Sequence, residues 1–410
     1  MVGAESRGAQ VTVAQVVRLG ILLTLAAAVL MSVRFARFDW TGIPLEVLPD
    51  SVTVEVSDDC TEEVGSYVTS DGRTISPTTM DDEQYLAMVS QYRGVDGPEL
   101  QVECLYRPYT GRFAQPWLAH LLPFDQGVSL ALVNAAMLIG AVWAMLFALR
   151  SQGASPRALV FAGTFFALGW NTLLFGSVLL TDPGPLLVVS LGWLLVVQRR
   201  WLWCLALILV SIPVRETVLL LLPVLLVGIW SEREGPAGDG GGPPGVQGHH
   251  RWPLGPALLS VLAVVASAVA VVLWGGVAPD ADATFSTRIL IDNAIRNLFS
   301  PSIVTVLLAA GPLYVPALLG WWADVRRRGP VRATVAPAPV GLAATLALLG
   351  WVMLGADLSP RFTWVGFPFA AAMCAEYLDL GGLRSLLDRV APERLVGAPR
   401  RGGSVVGSEF

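Results

Sequence analysis

Lysine is missing altogether from this chain of 410 residues, and all 27 of its basic residues are arginine. That bias reads first as a codon habit of a GC-rich genome and says little about chemistry. Charge of any kind is scarce: 14% of residues are charged, against roughly 25% in an average soluble protein. With 54% hydrophobic residues and a mean hydropathy of +0.61, an ordinary soluble domain is excluded, and the chain reads as an integral membrane protein. Three histidines and four cysteines never fall at zinc-ligand spacing. His249 and His250 lie in a Gly/Pro-rich stretch with no cysteine or carboxylate cluster beside them, which reads as a solvated linker. The net charge of -5 leaves no basic footprint for nucleic acid. No internal repeat is visible, which weakens a transporter reading, since transporters tend to be built from repeats.

What the chain does have is apolar length. A helix needs about 20 apolar residues to cross the hydrocarbon, and ten candidate spans are read against that length: Val11 to Val33, Gly127 to Leu149, Ala158 to Leu180, Pro185 to Gln198, Trp201 to Val214, Thr217 to Trp230, Leu254 to Val277, Ile303 to Trp322, Ala333 to Leu354 and Phe362 to Tyr377, with the fifth and sixth short of it. Arginine placement orients them. With the N-terminus in the cytoplasm, Arg7, Arg18, Arg150, Arg157, Arg199, Arg200, Arg233, Arg251, Arg326 to Arg328 and Arg332 all fall inside, as the positive-inside rule requires. The region from Trp201 to Trp230 is the test of that orientation. One continuous helix would bury Arg215 and Glu216 at about 2.5–3.5 kcal/mol per charge and would turn the Arg326 to Arg328 run outside, so a hairpin with these two residues at its outer tip is expected.

The acidic residues are as unevenly spread as the apolar ones. Sixteen of the 32 carboxylates lie between Arg34 and Gln126, in the loop between the first two spans. Cys60 and Cys104 both fall there, in an oxidising compartment, and a disulfide between them is expected. Thr78-Thr79-Met80-Asp81-Asp82-Glu83-Gln84-Tyr85 opens a helix, in which Tyr85, Met88, Val89 and Tyr92 recur at helical spacing and form one apolar side. Asp81 and Asp82 suit helix-end capping and dipole interactions, and equally suit a general base. The remaining outer segments carry Asp182 ahead of Pro183, the Arg215-Glu216-Thr217 tip, Arg288 and Arg296 in a Thr284 to Phe299 stretch patterned like an interfacial helix, and Arg361 ahead of the last span. Glu376 lies toward the cytoplasmic end of that span and reads as structural.

Together, a first span, a long outer loop with an Asp-Asp pair followed by Tyr85, a return of the type Tyr106-Arg107-Pro108…Arg112…Pro116, and a polytopic remainder resemble the polyprenyl-phosphate-dependent glycosyltransferases of the GT-C superfamily. Thr181-Asp182-Pro183, Arg215-Glu216-Thr217 and Asp357-Leu358-Ser359-Pro360-Arg361-Phe362 are similar to recurring features of bacterial enzymes of this type. The resemblance implies transfer of a sugar from a polyprenyl-phosphate donor to an outer-face glycan or lipid acceptor. Asp82 or Asp81 would take the acceptor proton, with Asp82 favoured. Tyr85, Arg107, Arg112, Asp182, Arg215, Glu216, Arg288 and Arg361 would line the substrate site, the arginines meeting phosphate oxygens through their planar fork. A divalent metal is left open, because the carboxylates that would bind it are those proposed as base.

The expected architecture is thus an all-α polytopic membrane protein with about ten transmembrane helices and a large extracytoplasmic loop between the first two. Residues 1–33 form the first helix, 34–126 the catalytic loop, 127–380 the bundle and 381–410 a cytoplasmic tail. The expected location is a bacterial plasma membrane with both termini inside. A transporter or flippase for a lipid-linked glycan is the alternative.

Overall fold

The computed structural model describes residues 11–37, 46–57, 60–68, 74–75, 80–94, 111–175, 181–231, 297–355 and 361–380, with isolated positions at 265, 291, 294 and 295. Its bulk is helical. The first helix, α1 (Val13–Arg37), is followed by strands β1 (Glu46–Ser57), β2 (Cys60–Val68) and β3 (Thr74–Ile75) and by α2 (Met80–Tyr92) and α3 (Ala114–His120). The bundle continues with α4 (Gln126–Ser151), α5 (Pro156–Leu168), α6 (Trp170–Phe175), α7 (Pro183–Val197) and α8 (Trp201–Ser211). A 3-10 turn (Glu216–Leu220) then leads into α9 (Leu221–Ser231). After the segment outside the described residues come α10 (Pro301–Arg328), α11 (Pro330–Thr334), α12 (Pro337–Gly355), α13 (Arg361–Trp364) and α14 (Phe367–Asp379).

One expectation needs correction, and another is met in part. The chain is not all-α: the acidic loop carries a three-stranded antiparallel sheet in the order β1-β2-β3, with Val52 opposite Val64 and Tyr67 opposite Ile75. Of the ten expected spans, the described residues bear out a part. Among the described residues three helices are long and apolar enough to cross a membrane, at Val13–Ser32, Gln126–Ser151 and Ile303–Arg328, while Pro183–Val197, Trp201–Ser211, Glu216–Ser231 and Pro337–Met353 are apolar but shorter. The expected span from Ala158 to Leu180 breaks at Gly169, whose extended backbone (φ -62, ψ 160) ends α5 and where a side chain would meet the Phe165 carbonyl oxygen. The expected span from Leu254 to Val277, the Cys60–Cys104 bridge and most of the Thr284 to Phe299 stretch lie outside the described residues. Within the described set Cys204 and Cys374 are free and buried.

The helices shuttle between two ends of the bundle. At one end Arg150 of α4 donates to the Val11 carbonyl at the start of α1 (3.3 Å), and the Ser155 amide donates to Asp379 at the close of α14 (3.0 Å). Arg328 bridges Asp324 and Glu376 there, at 2.8 and 3.3 Å. The tight Arg199-Arg200 turn joins α7 to α8, with Arg199 in the left-handed region (φ 59). Gly228 near the end of α9 lies against Trp201 at the start of α8, so these two helices run antiparallel and Arg215 and Glu216 stand at the tip between them. Arg150, Arg157, Arg199, Arg200 and Arg326 to Arg328 stand at this first end. The opposite end gathers α2, α3, the tip and α13.

Small residues let the helices approach closely, as in membrane bundles generally. A side chain at Gly192 would strike Leu221, at Gly163 Leu146, and at Gly341 the face of the Phe369 ring at 2.6–2.7 Å. Around these contacts runs a core that includes Leu138, Met145, Phe166, Trp193, Leu221, Trp364 and Phe369. The outer surface is apolar as well: Leu22, Leu25 and Val29 on α1, Leu202, Trp203 and Val210 on α8, and Leu307 and Leu308 on α10 are exposed. An apolar patch of this extent is what a lipid-facing surface requires and what a water-facing one avoids. The three long apolar helices and this belt associate the protein with a membrane.

Two measurements check the arrangement. Single cysteines at the exposed positions Leu121 and Val331, at opposite ends of the bundle, are expected to label from opposite faces of sealed membranes. Gly341→Val is expected to destabilise the detergent-solubilised protein by about 1–3 kcal/mol through overpacking against Phe369, read as a lowered melting temperature.

Candidate functional site

The site begins with a buried ion pair. Arg215 Nη1 donates to Asp182 Oδ1 at 2.5 Å, and both side chains are almost fully buried, at 7% and 9% exposure. Asp182 precedes Pro183 at the start of α7 yet makes no side-chain cap to that helix, so its carboxylate goes to Arg215 instead. One expectation changes with this pair. Asp182 occupies the N-cap position without using its side chain there, and Arg215 is not displayed at the tip surface but turns inward from it. A buried cation of this kind is tolerable only when paired.

Its chain neighbour does the opposite. Glu216, half exposed, receives Arg112 in a side-on fork, with Nε to Oε2 at 3.0 Å and Nη2 on Oε1. The Ala114 amide donates to the Pro213 carbonyl (3.2 Å) beside this pair, so the tip is bound to the segment that leads into α3 by backbone as well as by charge. Burial pushes the Arg112 guanidinium down, but Tyr85 and Glu216 outweigh it and hold the group above its ordinary value. Burial likewise pushes Glu216 up, while Arg112 and Arg215 outweigh it and hold the carboxyl below its ordinary value.

Tyr85 brings in α2. With Met88 and Val89 it is buried against Ala119 and Leu130, which sets the apolar side of α2 on α3 and α4. Arg93, just past the end of α2, donates to the Ala119 and Leu122 carbonyls at 3.3 and 2.9 Å and to Ser129 Oγ at 2.9 Å. One guanidinium thus satisfies carbonyls at the end of α3, which a helix end otherwise leaves open. Asp81 and Asp82 stand in the first turn of α2, four and three residues before Tyr85. Their backbone is fixed to the same helix that Arg93 and Tyr85 dock, and their side chains lie outside the described residues.

Arg361, at the start of α13, completes the group. A cavity of about 20 Å³ is lined by Asp182, Arg215, Thr217 and Arg361 on its polar side and by Pro185, Leu348 and Trp364 among others. That is room for about one water-sized atom. Asp182 Oδ2, Arg215 Nε and Thr217 Oγ1 are buried and have no hydrogen-bond partner among the described residues. Two charged groups and a hydroxyl therefore keep bonding capacity in reserve around a space that takes a single oxygen.

Of the residues expected to bind substrate, Tyr85, Arg112, Asp182, Arg215, Glu216 and Arg361 gather at this end. Arg107 and Arg288 lie outside the described residues. The sequence reading passed over Gln115, fully buried in α3, which donates to Asn134 Oδ1 of α4 at 2.7 Å and closes against Gly184 at the start of α7. The available signal was an amide in the apolar stretch Phe113 to Ala119 at the end of the outer loop. It also passed over Trp364, which the apolar surroundings hide. Among the described residues no three His, Cys, Asp or Glu side chains gather as a metal cluster.

Compared with known proteins, the sequence matches no protein-family model and no curated protein. The site must therefore be read from its own geometry.

The Arg112–Glu216 pair should be measurable. Glu216 has a lowered folded pKa, so its contribution is present above the ordinary carboxylate value and is lost as pH falls through the folded one. A double-mutant cycle of Arg112→Ala and Glu216→Ala is expected to give a coupling of about 1 kcal/mol near pH 7, at the upper end for a partly exposed pair. The coupling should weaken as the pH falls below the ordinary Glu value and vanish once it lies below the lowered folded one. Arg215→Met, which strands Asp182, is expected to cost about 3–5 kcal/mol, and adding Asp182→Leu should recover much of it.

Proposed function

We propose that the protein is a membrane glycosyltransferase of GT-C type, moving a sugar from a polyprenyl-phosphate donor to a glycan or lipid acceptor on the extracytoplasmic face. The observation that carries this reading is the convergence of Arg112, Arg215 and Arg361 with Asp182, Glu216 and Tyr85 at the bundle end opposite the arginine-rich loops. Under the positive-inside rule that end faces away from the cytoplasm, where a lipid-linked sugar would be met.

The chemistry asks for two things. The acceptor hydroxyl must lose a proton as it attacks the anomeric carbon, and a carboxylate is the natural base. Asp82, or Asp81 beside it, takes this role: both stand on a helix docked to the cluster. The departing phosphodiester becomes a phosphomonoester and gathers charge, which fixed guanidinium groups stabilise without reorganising. Arg215 and Arg361 serve here, because they lie in the buried part of the site, where charge is least screened. Arg112 is engaged side-on by Glu216 and holds the tip to the loop. The donor's prenyl chain would lie along the apolar belt, and the acceptor would enter from the acidic loop. The enzyme would act in a bacterial plasma membrane with both termini in the cytoplasm.

Removing a base removes an interaction specific to the transition state, so turnover should fall more than affinity. The Asp81→Asn/Asp82→Asn double variant is expected to lose sugar transfer by at least the roughly hundredfold typical of general-base catalysis, with donor binding nearly intact. Full transfer activity in that variant would sink the reading and give the lead to a transporter of lipid-linked glycans.

A further inference from the structure

The pairing of Asp182 with Arg215 places a fixed negative charge inside a site otherwise suited to an anion. If the site only had to attract phosphate, a neutral partner for Arg215 would serve better. The carboxylate contacts the guanidinium at Nη1, leaving Arg215 Nε and its own Oδ2 unpartnered among the described residues beside the cavity. An oxygen seated in that cavity would have Arg215, Thr217, Arg361 and the Asp182 carboxylate all in its lining. Glu216 is turned away toward Arg112.

We infer that Asp182 is a charge-selectivity residue, tuning the site to bind a singly charged phosphodiester and to reject a doubly charged phosphomonoester. The inference rests on the donor reading above. The donor, a prenyl phosphate esterified to a sugar, carries one negative charge spread over two free oxygens. The product, a prenyl phosphate, carries nearly two at pH 7 and above, because the second ionisation of a phosphomonoester lies near pH 6. A nearby like charge disfavours the added charge. Asp182 thereby opposes product retention, and each turnover would empty the site by the same repulsion that shapes its choice of ligand.

The test uses the full-length protein in detergent, with geranylgeranyl phosphate as the monoester and its methyl ester as the diester, binding measured by calorimetry. At pH 8 the wild type is expected to prefer the diester by roughly tenfold, the factor equivalent to one pK unit of interaction with a like charge. At pH 5, where the monoester carries a single charge, the preference should largely disappear. Asp182→Asn should abolish the preference at pH 8 by strengthening monoester binding. The pH comparison uses wild-type protein alone, so it stands even where Asp182→Asn fails to fold. Equal affinity for the two ligands at pH 8, or an unchanged ratio in a folded Asp182→Asn, overturns the inference and leaves the donor reading intact. Failure of both ligands to bind overturns the donor reading along with it.

Discussion

Everything at the functional end depends on two adjacent residues of opposite charge that face opposite ways. Arg215 turns into the bundle and meets Asp182 at the start of α7, while Glu216 turns out and receives Arg112 from the end of the acidic loop. The dipeptide thereby ties three stretches that are far apart in sequence: the loop before α3, the start of α7 and the α8–α9 tip. The two bonds differ in kind. The buried pair sets where the tip must sit, since neither partner can be left alone in an apolar surrounding without a cost of several kcal/mol. The half-exposed pair adds less stability but fixes the loop against the tip through a two-point fork.

That local arrangement explains a feature of the bundle. The helices α8 and α9 are each 11 residues long, too short to cross a bilayer by themselves at 1.5 Å per residue. α8 ends at Ser211, two residues ahead of Pro213, which cannot continue a helix, and Gly228 against Trp201 lets the two legs pack closely behind the tip. A buried polar scaffold then orients the neighbouring parts. Asn171 and Tyr314 both bond Thr363 of α13, at 3.0 and 2.7 Å, two residues from Arg361. Gln115 and Asn134 join α3 to α4. Side-chain hydrogen bonds of this kind act where water is excluded and no competing partner is at hand.

The sequence was most legible where charge interrupts apolar length. Arg215 and Glu216 could be placed at a helix break because burying both in one long helix is costly, and the arginine asymmetry separated the two bundle ends for the same reason. The period of Tyr85, Met88 and Val89 marked the docked face of α2. Other features were read less well. The alternation Val52-Thr53-Val54-Glu55-Val56 is a strand signal of period two, and it was overlooked because the loop was characterised by its acidity. The inward turn of Arg215 could not be read at all: sequence places a residue at a tip but does not say which way it faces. Asp182 beside Pro183 has the pattern of a cap, and only the presence of Arg215 33 residues on explains why its carboxylate is used elsewhere.

The most direct measurement is photo-crosslinking of the purified protein with a diazirine-bearing polyprenyl phosphate, followed by mapping of the modified peptides. A donor site at the end formed by α7, the α8–α9 tip and α13 predicts labels near Asp182, Arg215 and Arg361, competed away by unlabelled donor. Labels confined to the Arg326 to Arg332 end, or labels that no donor competes away, would contradict it.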